Sequence, residues 1–375
     1  MENTRRAEAR WNEAAGKWRV DVQANGVRKT FRNSTPGKRG KTACERAADE
    51  WLQAGSNCLR NGGRTAFADA WDEYRRSMAS AVSTGQNATI ECYGRRYFVP
   101  MFGRRAIDSI TRRDWQDCIN RIYEERGLSK KTLENIRGII VSFCRYLLDS
   151  EIITPDKVPL GLKVPRGAAV GEKKALQPDG VRDIFSRTTY TSRNRQKECF
   201  EIHAIRWAIA SGMRPGEIVG LQWADITGDT KTIRRAINVL GEHTQGKNRN
   251  ALRTSLLTGL ERQVLADQRE HLRKHGIISP WVFPAKDGDT LTQQQLYKAW
   301  QRMQRDMPGE GNYSLYELRH TMISIAKSVP KTLLEPVVGH SATMDTFGIY
   351  AHQIEGDAQR AADLIDKAFA DVIGK

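Results

Sequence analysis

The chain has 375 residues, 39% of them hydrophobic, and carries 60 Lys and Arg against 44 Asp and Glu for a formal charge of +16. That length suggests two or three domains, and the basic excess points to a polyanionic partner, because phosphate neutralisation releases condensed counterions. No apolar run approaches the roughly 18–20 residues of a membrane span and no apolar core marks a signal peptide. Nor do the cysteines at 44, 58, 92, 118, 144 and 199 form a C-x-x-C pair, so a soluble, cytoplasmic chain with reduced thiols is expected.

In chain order, residues 1–62 carry 13 basic and 7 acidic side chains. Residues 18–22 alternate, with Trp18, Val20 and Val22 on one face, and Asn25-Gly26 is a turn dipeptide before a returning strand at 27–31. A helix is predicted over about 42–52. Arg28, Lys29, Arg32, Lys38, Arg39 and Lys41 fall between 27 and 41 without an acidic residue. They form either a solvated face or a basic hairpin that enters a DNA groove, and the total charge favours the second.

Asn61-Gly62-Gly63 reads as a joint. Beyond it, Phe67, Trp71, Tyr74 and Met78 recur with helical spacing and are read as core rather than as a stacking platform. Helices are predicted near 86–98, 111–126 and 129–149, the last opened by the N-cap candidate Ser129 ahead of Lys130 and Lys131. Arginine pairs recur at 75–76, 95–96, 104–105 and 112–113, a repetition that suggests contacts along a duplex backbone. Residues 166–174, poor in bulky apolar side chains, read as a linker. The remainder, 175–375, is expected to be mainly helical, with strands at 232–240 and 252–257 flanking a turn at 244–250. The expected organisation is therefore mainly α and multidomain, with domains at 1–62, 63–165 and 175–375.

Four segments of the last domain carry chemistry. In Ser211-Gly-Met-Arg-Pro-Gly-Glu217, Pro215 suits a first helical turn, so Arg214 stands at a helix N-terminus, where an anion is favoured. Glu217 can orient that guanidinium or cap the helix. Lys247 sits in the turn between the two strands. In Ser314-Leu-Tyr-Glu-Leu-Arg-His320, Ser314 and Glu317 make a possible capping box that places Tyr316 and Arg319 on one helix face. Finally, His340 follows Gly339 and Tyr350 stands ten residues later. Each alone reads as a structural ion-pair partner, a solvated lysine, a core histidine or a packing aromatic.

In this order, the set resembles the tyrosine recombinase (phage integrase) family, most strongly between residues 205 and 352. The two arginine boxes match Ser211-Gly-Met-Arg-Pro-Gly-Glu217 and Tyr316-Glu-Leu-Arg-His320, the hairpin lysine Lys247, the Gly-His element Gly339-His340, and the nucleophile Tyr350 in Gly348-Ile-Tyr-Ala-His352. Integrases of phages and of conjugative or integrative elements are the nearest in kind. The resemblance implies a small N-terminal β-sheet plus helix that binds arm-type sites. It further implies an all-helical SAM-like core-binding domain and a mainly helical catalytic domain with a small antiparallel sheet.

It also implies a site-specific DNA recombinase that integrates and excises a mobile element through a 3′-phosphotyrosine. Tyr350 would attack phosphorus, while Arg214, Arg319 and His340 stabilise the non-bridging oxygens. Lys247 would protonate the leaving 5′-oxygen. No cofactor or ATP is implied, and the sequence shows neither an acidic metal cluster nor a P-loop. Partners would be double-stranded attachment sites, further copies of the chain in a DNA-bound tetramer, and a directionality factor. The terminal set Leu364, Ile365, Ala368, Phe369 and Val372 covers the domain in cis or, by family resemblance, docks on a neighbouring protomer. The chain departs from the family at Tyr316, where a histidine is usual. A phenol with a pKa of about 10 donates a hydrogen bond but is a poor base near neutrality. His320, about 100° round the helix, is not expected to substitute. Two other readings are a type IB topoisomerase-like nicking-closing enzyme, which would need no basic hairpin, and a catalytically impaired architectural or regulatory DNA-binding protein.

Overall fold

A computed structural model describes residues 5–6, 8–24, 27–53, 65–244, 252–307, 311–339 and 356–374. The chain divides into two units, Met1–Gly171 and Glu172–Lys375. Strands β1 (Arg5–Arg6), β2 (Arg10–Asn12), β3 (Lys17–Ala24) and β4 (Val27–Asn33) make one antiparallel sheet in which β3 pairs with each of the others. The β3–β4 register, Ala24 opposite Val27, leaves two residues for the turn, and that Asn-Gly pair lies outside the described residues. The first two strands were not anticipated from sequence. They are short, and Trp11 packs edge-on to Trp18 at 5.4 Å. Helix α1 (Gly37–Gln53) begins five residues before the expected start, and its Cys44 and Ala48 are buried with Val20 and Val22.

Helix α2 (Phe67–Ala81) buries Phe67, Trp71 and Tyr74 as core, with Trp71 and Phe67 packed 5.0 and 5.3 Å from Phe143. Aromatic edges against faces suit the ring quadrupoles. Helix α3 (Thr84–Tyr93) continues through a π-helical turn, Gly94–Phe98. A Cβ on Gly94 would meet the Trp71 indole nitrogen at 2.1 Å, so only glycine fits there. Helices α4 (Arg112–Arg126) and α5 (Lys130–Asp149) start at the caps Thr111 and Ser129. Two of the arginine pairs are less free than their repetition suggested. Arg75 is tied to Glu91 at 3.0 Å and Arg105 to Asp114 at 2.6 Å. Each guanidinium held by an internal carboxylate is less available to a phosphate.

The second unit opens with α6 (Pro178–Ser186), then a hairpin of β5 (Thr189–Ser192) and β6 (Arg195–Glu198). Helix α7 (Ile202–Ser211) is buried at every position and forms the axis of the core. After the single turn α8 (Pro215–Val219) come β7 (Ile226–Thr227), β8 (Thr230–Ile233), β9 (Ala236–Ile237), β10 (His243–Thr244) and β11 (Arg253–Leu256). The strand expected at 232–240 is in fact broken. Strand β8 pairs with β7 and β11, whereas β9 pairs only with β10. Arg235 causes the break by turning inward, donating to the buried Asp225 at 2.5 and 3.2 Å and to the Gly220 carbonyl at 3.1 Å.

Helices α9 (Gly259–Lys274), α10 (Gln293–Gln304), α11 (Leu315–Ile325), α12 (Lys331–Val338) and α13 (Asp357–Ile373) complete the unit. The apolar face of α13 packs against its own unit, where Ile365, Ala368 and Phe369 are buried. Its Asp366 caps α9 by accepting from the Leu260 amide at 3.0 Å. The unit boundary falls within the expected linker, whose Ala168 is buried in the first unit while the Lys174 amide donates to Glu317 in the second. Among the described residues, no helix is long and apolar enough to cross a membrane.

A buried ion pair joins β8 to α9: Lys231, fully buried, donates through Nζ to Glu261 Oε2 at 2.7 Å. Removing one partner leaves an uncompensated buried charge. Lys231→Ala is expected to lower the unfolding free energy of this unit by about 3–5 kcal/mol in urea denaturation, and a loss below about 1 kcal/mol, the scale of surface pairs, would contradict the assignment.

Candidate active site

The site is built where α7 ends. Gly212 takes a left-handed conformation (φ 61°) and closes that helix, and the chain re-enters helix at Pro215 with Arg214 extended as the N-cap. Glu217, at the third helical position, reaches back to accept from the Arg214 amide at 3.0 Å. The same carboxylate accepts Arg214 Nη1 at 2.7 Å and Arg253 Nη1 and Nη2 at 3.2 and 2.9 Å. Glu217 is only 3% exposed. Burial by itself raises its pKa, but hydrogen bonds and charge from Arg253, joined by Arg214, outweigh it and hold the carboxyl below the usual range. Both alternatives for Glu217 are therefore realised in one group, which orients the guanidinium and caps the helix.

The two arginines carry this arrangement further. Arg253 Nε donates to the Val337 carbonyl at 3.0 Å, and Arg214 Nη2 to the Gly339 carbonyl at 3.0 Å. Glu217 thus ties α8, β11 and the end of α12 together. Arg319, on α11, is 1% exposed and lies within Coulombic range of Arg214, Tyr316, Glu217 and Arg253. Its Nη1 donates to the Gly212 carbonyl at 2.7 Å, whereas its buried Nε and Nη2 have no partner among the described residues. Those two groups share one edge of the guanidinium, the edge that makes a two-point contact with a carboxylate or phosphate. Burial and the neighbouring Arg214 charge bring Arg319 down to about 10, so it remains cationic at neutral pH. Three guanidiniums around one carboxylate leave a local surplus of positive charge, and leaving two buried donors unpaired costs about 1–3 kcal/mol each. An anion would relieve both.

Arg214 and Tyr316 line a cleft of about 1020 Å³ that also takes in Thr244, Asn238, Gln293 and Tyr297. Tyr316 is 44% exposed, and its ring meets His320 edge-on at 5.2 Å. Burial, Lys173 and Arg319 lower the His320 pKa against the pull of Glu317. Lys247, His340 and Tyr350 lie outside the described residues. The chain enters those two segments from Thr244, on the cleft wall, and from Gly339, whose carbonyl holds Arg214.

In the first unit, Arg32, Lys38, Arg39, Lys130 and Lys131 are exposed and Lys41 is half-buried, while the Arg28 side chain is not among those described. Lys29 is exposed, with its ammonium 5.4 Å from the Phe31 ring centre. The sequence reading did not single out Arg253. Its signal is its inward strand face, shared with the buried Ile233 opposite it, but that face is defined only once the register is known.

Residues 174–356 match the phage integrase family. The chain is 22% identical over 284 residues to a XerC-like tyrosine recombinase of Caldanaerobacter subterraneus subsp. tengcongensis, covering 68% of this chain and 70% of that protein. The Tn1549 transposon integrase, solved in complex with a circular intermediate DNA, has the same fold at 17% identity, with a TM-score of 0.61 over 80% of this chain and 98% of that one. A lambda integrase tetramer bound to a Holliday junction superposes at 15% identity, with a TM-score of 0.56 over 92% of this chain and 95% of that one.

The two buried arginines should respond oppositely to truncation. Arg253→Ala takes two of the four donors from the buried Glu217 carboxylate, leaving those of Arg214, and is expected to lower stability by about 3 kcal/mol, whereas Arg319→Met removes a buried charge with unpaired donors and should leave stability unchanged or raise it. Urea denaturation of both variants checks this, and a loss above about 2 kcal/mol for Arg319→Met would contradict the unpaired state described.

Proposed function

Because residues 174–356 make this chain a member of the phage integrase family of tyrosine recombinases, we propose that it integrates and excises a mobile DNA element by transesterification, with Tyr350 as nucleophile. The observation that carries this reading is the unpaired edge of Arg319, buried within Coulombic range of Arg214, which itself lines a cleft. Two N–H donors held ready on a fixed guanidinium suit the non-bridging oxygens of a phosphodiester, which gain negative charge in the transition state. Arg214 is held from two sides, by Glu217 and by the Gly339 carbonyl. That support favours a clamp held in place before substrate arrives.

In this mechanism the Tyr350 oxygen gives up its proton to water and bonds to phosphorus as the 5′-oxygen leaves, giving a 3′-phosphotyrosyl link and a 5′-hydroxyl. A 5′-hydroxyl from the partner strand reverses the step. Lys247 protonates the leaving oxygen and His340 adds a donor to the phosphate. Tyr316 faces the same cleft and donates from its phenol, so it orients phosphate and does not act as the base. Residues 1–62 form the arm-type DNA-binding domain, through Arg28, Lys29, Arg32, Lys38, Arg39 and Lys41. Residues 63–165 form the core-binding domain, with Lys130 and Lys131 at the start of α5 on the duplex, and residues 175–375 are catalytic. The chain works as an oligomer on its attachment sites, as the lambda integrase tetramer on a Holliday junction suggests.

A suicide substrate tests this reading. A nicked duplex bearing the junction sequence that flanks the gene should trap a covalent complex on denaturing gels with the wild-type chain and none with Tyr350→Phe. No adduct with the wild type, or an undiminished one with Tyr350→Phe, would overturn the proposal.

A further inference from the structure

We propose that Glu198, His271 and His275 form a binding site for a zinc-class divalent metal ion, which fastens the β5–β6 hairpin to the C-terminal end of α9. None of these residues lines the cleft at Arg214, and the proposal does not depend on the recombinase chemistry. His271 and His275 stand four residues apart at the end of one helix, so their rings share a face, with centroids 4.4 Å apart. Glu198, the last residue of β6, spans both: its Oε1 is 3.8 Å from His271 Nδ1 and its Oε2 is 3.3 Å from His275 Nε2. One ligand atom from each of the three lies within 4.8 Å of the others.

Tautomer chemistry makes these distances informative. His275 Nδ1 is 2.9 Å from the His271 carbonyl. A carbonyl only accepts, so Nδ1 carries a proton and Nε2 is the nitrogen turned toward the Glu198 carboxylate. Lone pair against carboxylate is repulsive unless a proton or a cation stands between them. A backbone carbonyl fixing the far nitrogen is also the usual outer-shell support of a metal-binding histidine. Zinc binds imidazole nitrogen at about 2.0–2.1 Å and carboxylate oxygen at about 2.0–2.2 Å, so two tetrahedral ligands sit about 3.4 Å apart. Each histidine faces its own oxygen of Glu198 near that spacing, at 3.3 and 3.8 Å, and the ligand set, within 4.8 Å overall, would draw together around an ion, while 3.8 Å is too long for a hydrogen bond between His271 and Glu198.

The surroundings are half dry and half wet. His271 is 8% exposed, with Phe200 and His203 packed against its ring at 4.8 and 5.3 Å. Glu198 and His275 are exposed, which leaves a side open for water as a further ligand. Strand β6 is exposed at every position, so a tie to α9 would restrain it. A competing use of the His271 ring is its hydrogen bond with the Phe200 main chain.

Zinc and cobalt titrations of the full chain, stripped with a chelator, separate the two uses. Glu198→Gln and His275→Ala change exposed side chains and leave the core packed. The wild type should bind one Zn2+ per chain, melt at higher temperature when loaded, and give a visible d–d absorption with Co2+. Each variant should weaken binding at least tenfold and lose the melting shift. Absence of saturable binding in the stripped wild type would overturn the proposal and leave only the ion pair. Wild-type affinity in either variant would overturn it equally, since the ion would then be bound elsewhere.

Discussion

The candidate site depends on one buried carboxylate. Glu217 accepts from the Arg214 amide and from two guanidiniums, and through them α8, β11 and the end of α12 meet at one point. A buried ionised carboxylate is tolerable only when its lone pairs are used, and here each donor is also committed elsewhere. Arg253 holds the Val337 carbonyl and Arg214 holds the Gly339 carbonyl. The path to His340 and Tyr350 therefore begins at a residue whose backbone is already fixed by Arg214. The hydrogen bonds that hold Arg214 in place also stabilise the unit locally, so a defect in one carries into the other.

Arg319 shows the opposite economy. It is as buried as a core leucine, yet among the described residues only one of its nitrogens is bonded. Buried polar groups are nearly always paired, and the exceptions concentrate where a ligand completes the set. The open edge of Arg319 beside Arg214 has the geometry of such an exception, and the basic surplus around Glu217 has the matching sign for a phosphate. In the proposed mechanism Tyr316 keeps a donor and gives up a base, since a phenol is a poor base near neutrality.

Much of this was legible in local sequence. Pro215 and the Ser314–Glu317 pair mark where α8 and α11 begin, which is enough to place Arg214 at a helix N-terminus and Tyr316 and Arg319 on one face. The alternation at Val20 and Val22 and the stripe at Phe67, Trp71 and Tyr74 likewise reported burial correctly. Features decided by distant partners were not legible. Arg253 looks like any strand arginine until Glu217, 36 residues away, is seen to accept from it. Arg235 breaks the strand expected at 232–240 because Asp225 draws it inward, and no propensity records that. The polar β5–β6 hairpin carries no apolar alternation, so neither it nor the approach of Glu198 to His271 and His275 could be anticipated. The terminal helix shows a limit of periodicity: its apolar face is evident in the sequence, but which surface covers it is not.

The central claim is that Arg319 holds its open edge for a phosphodiester beside Arg214. A crystal structure of the Tyr350→Phe chain on a nicked attachment-site duplex tests it most directly. The account predicts Arg319 Nε and Nη2 both within hydrogen-bonding distance of the non-bridging oxygens of a single phosphate, with Glu217 still holding Arg214 and Arg253. A phosphate bound elsewhere in the cleft, with that edge of Arg319 still unpaired, would contradict it.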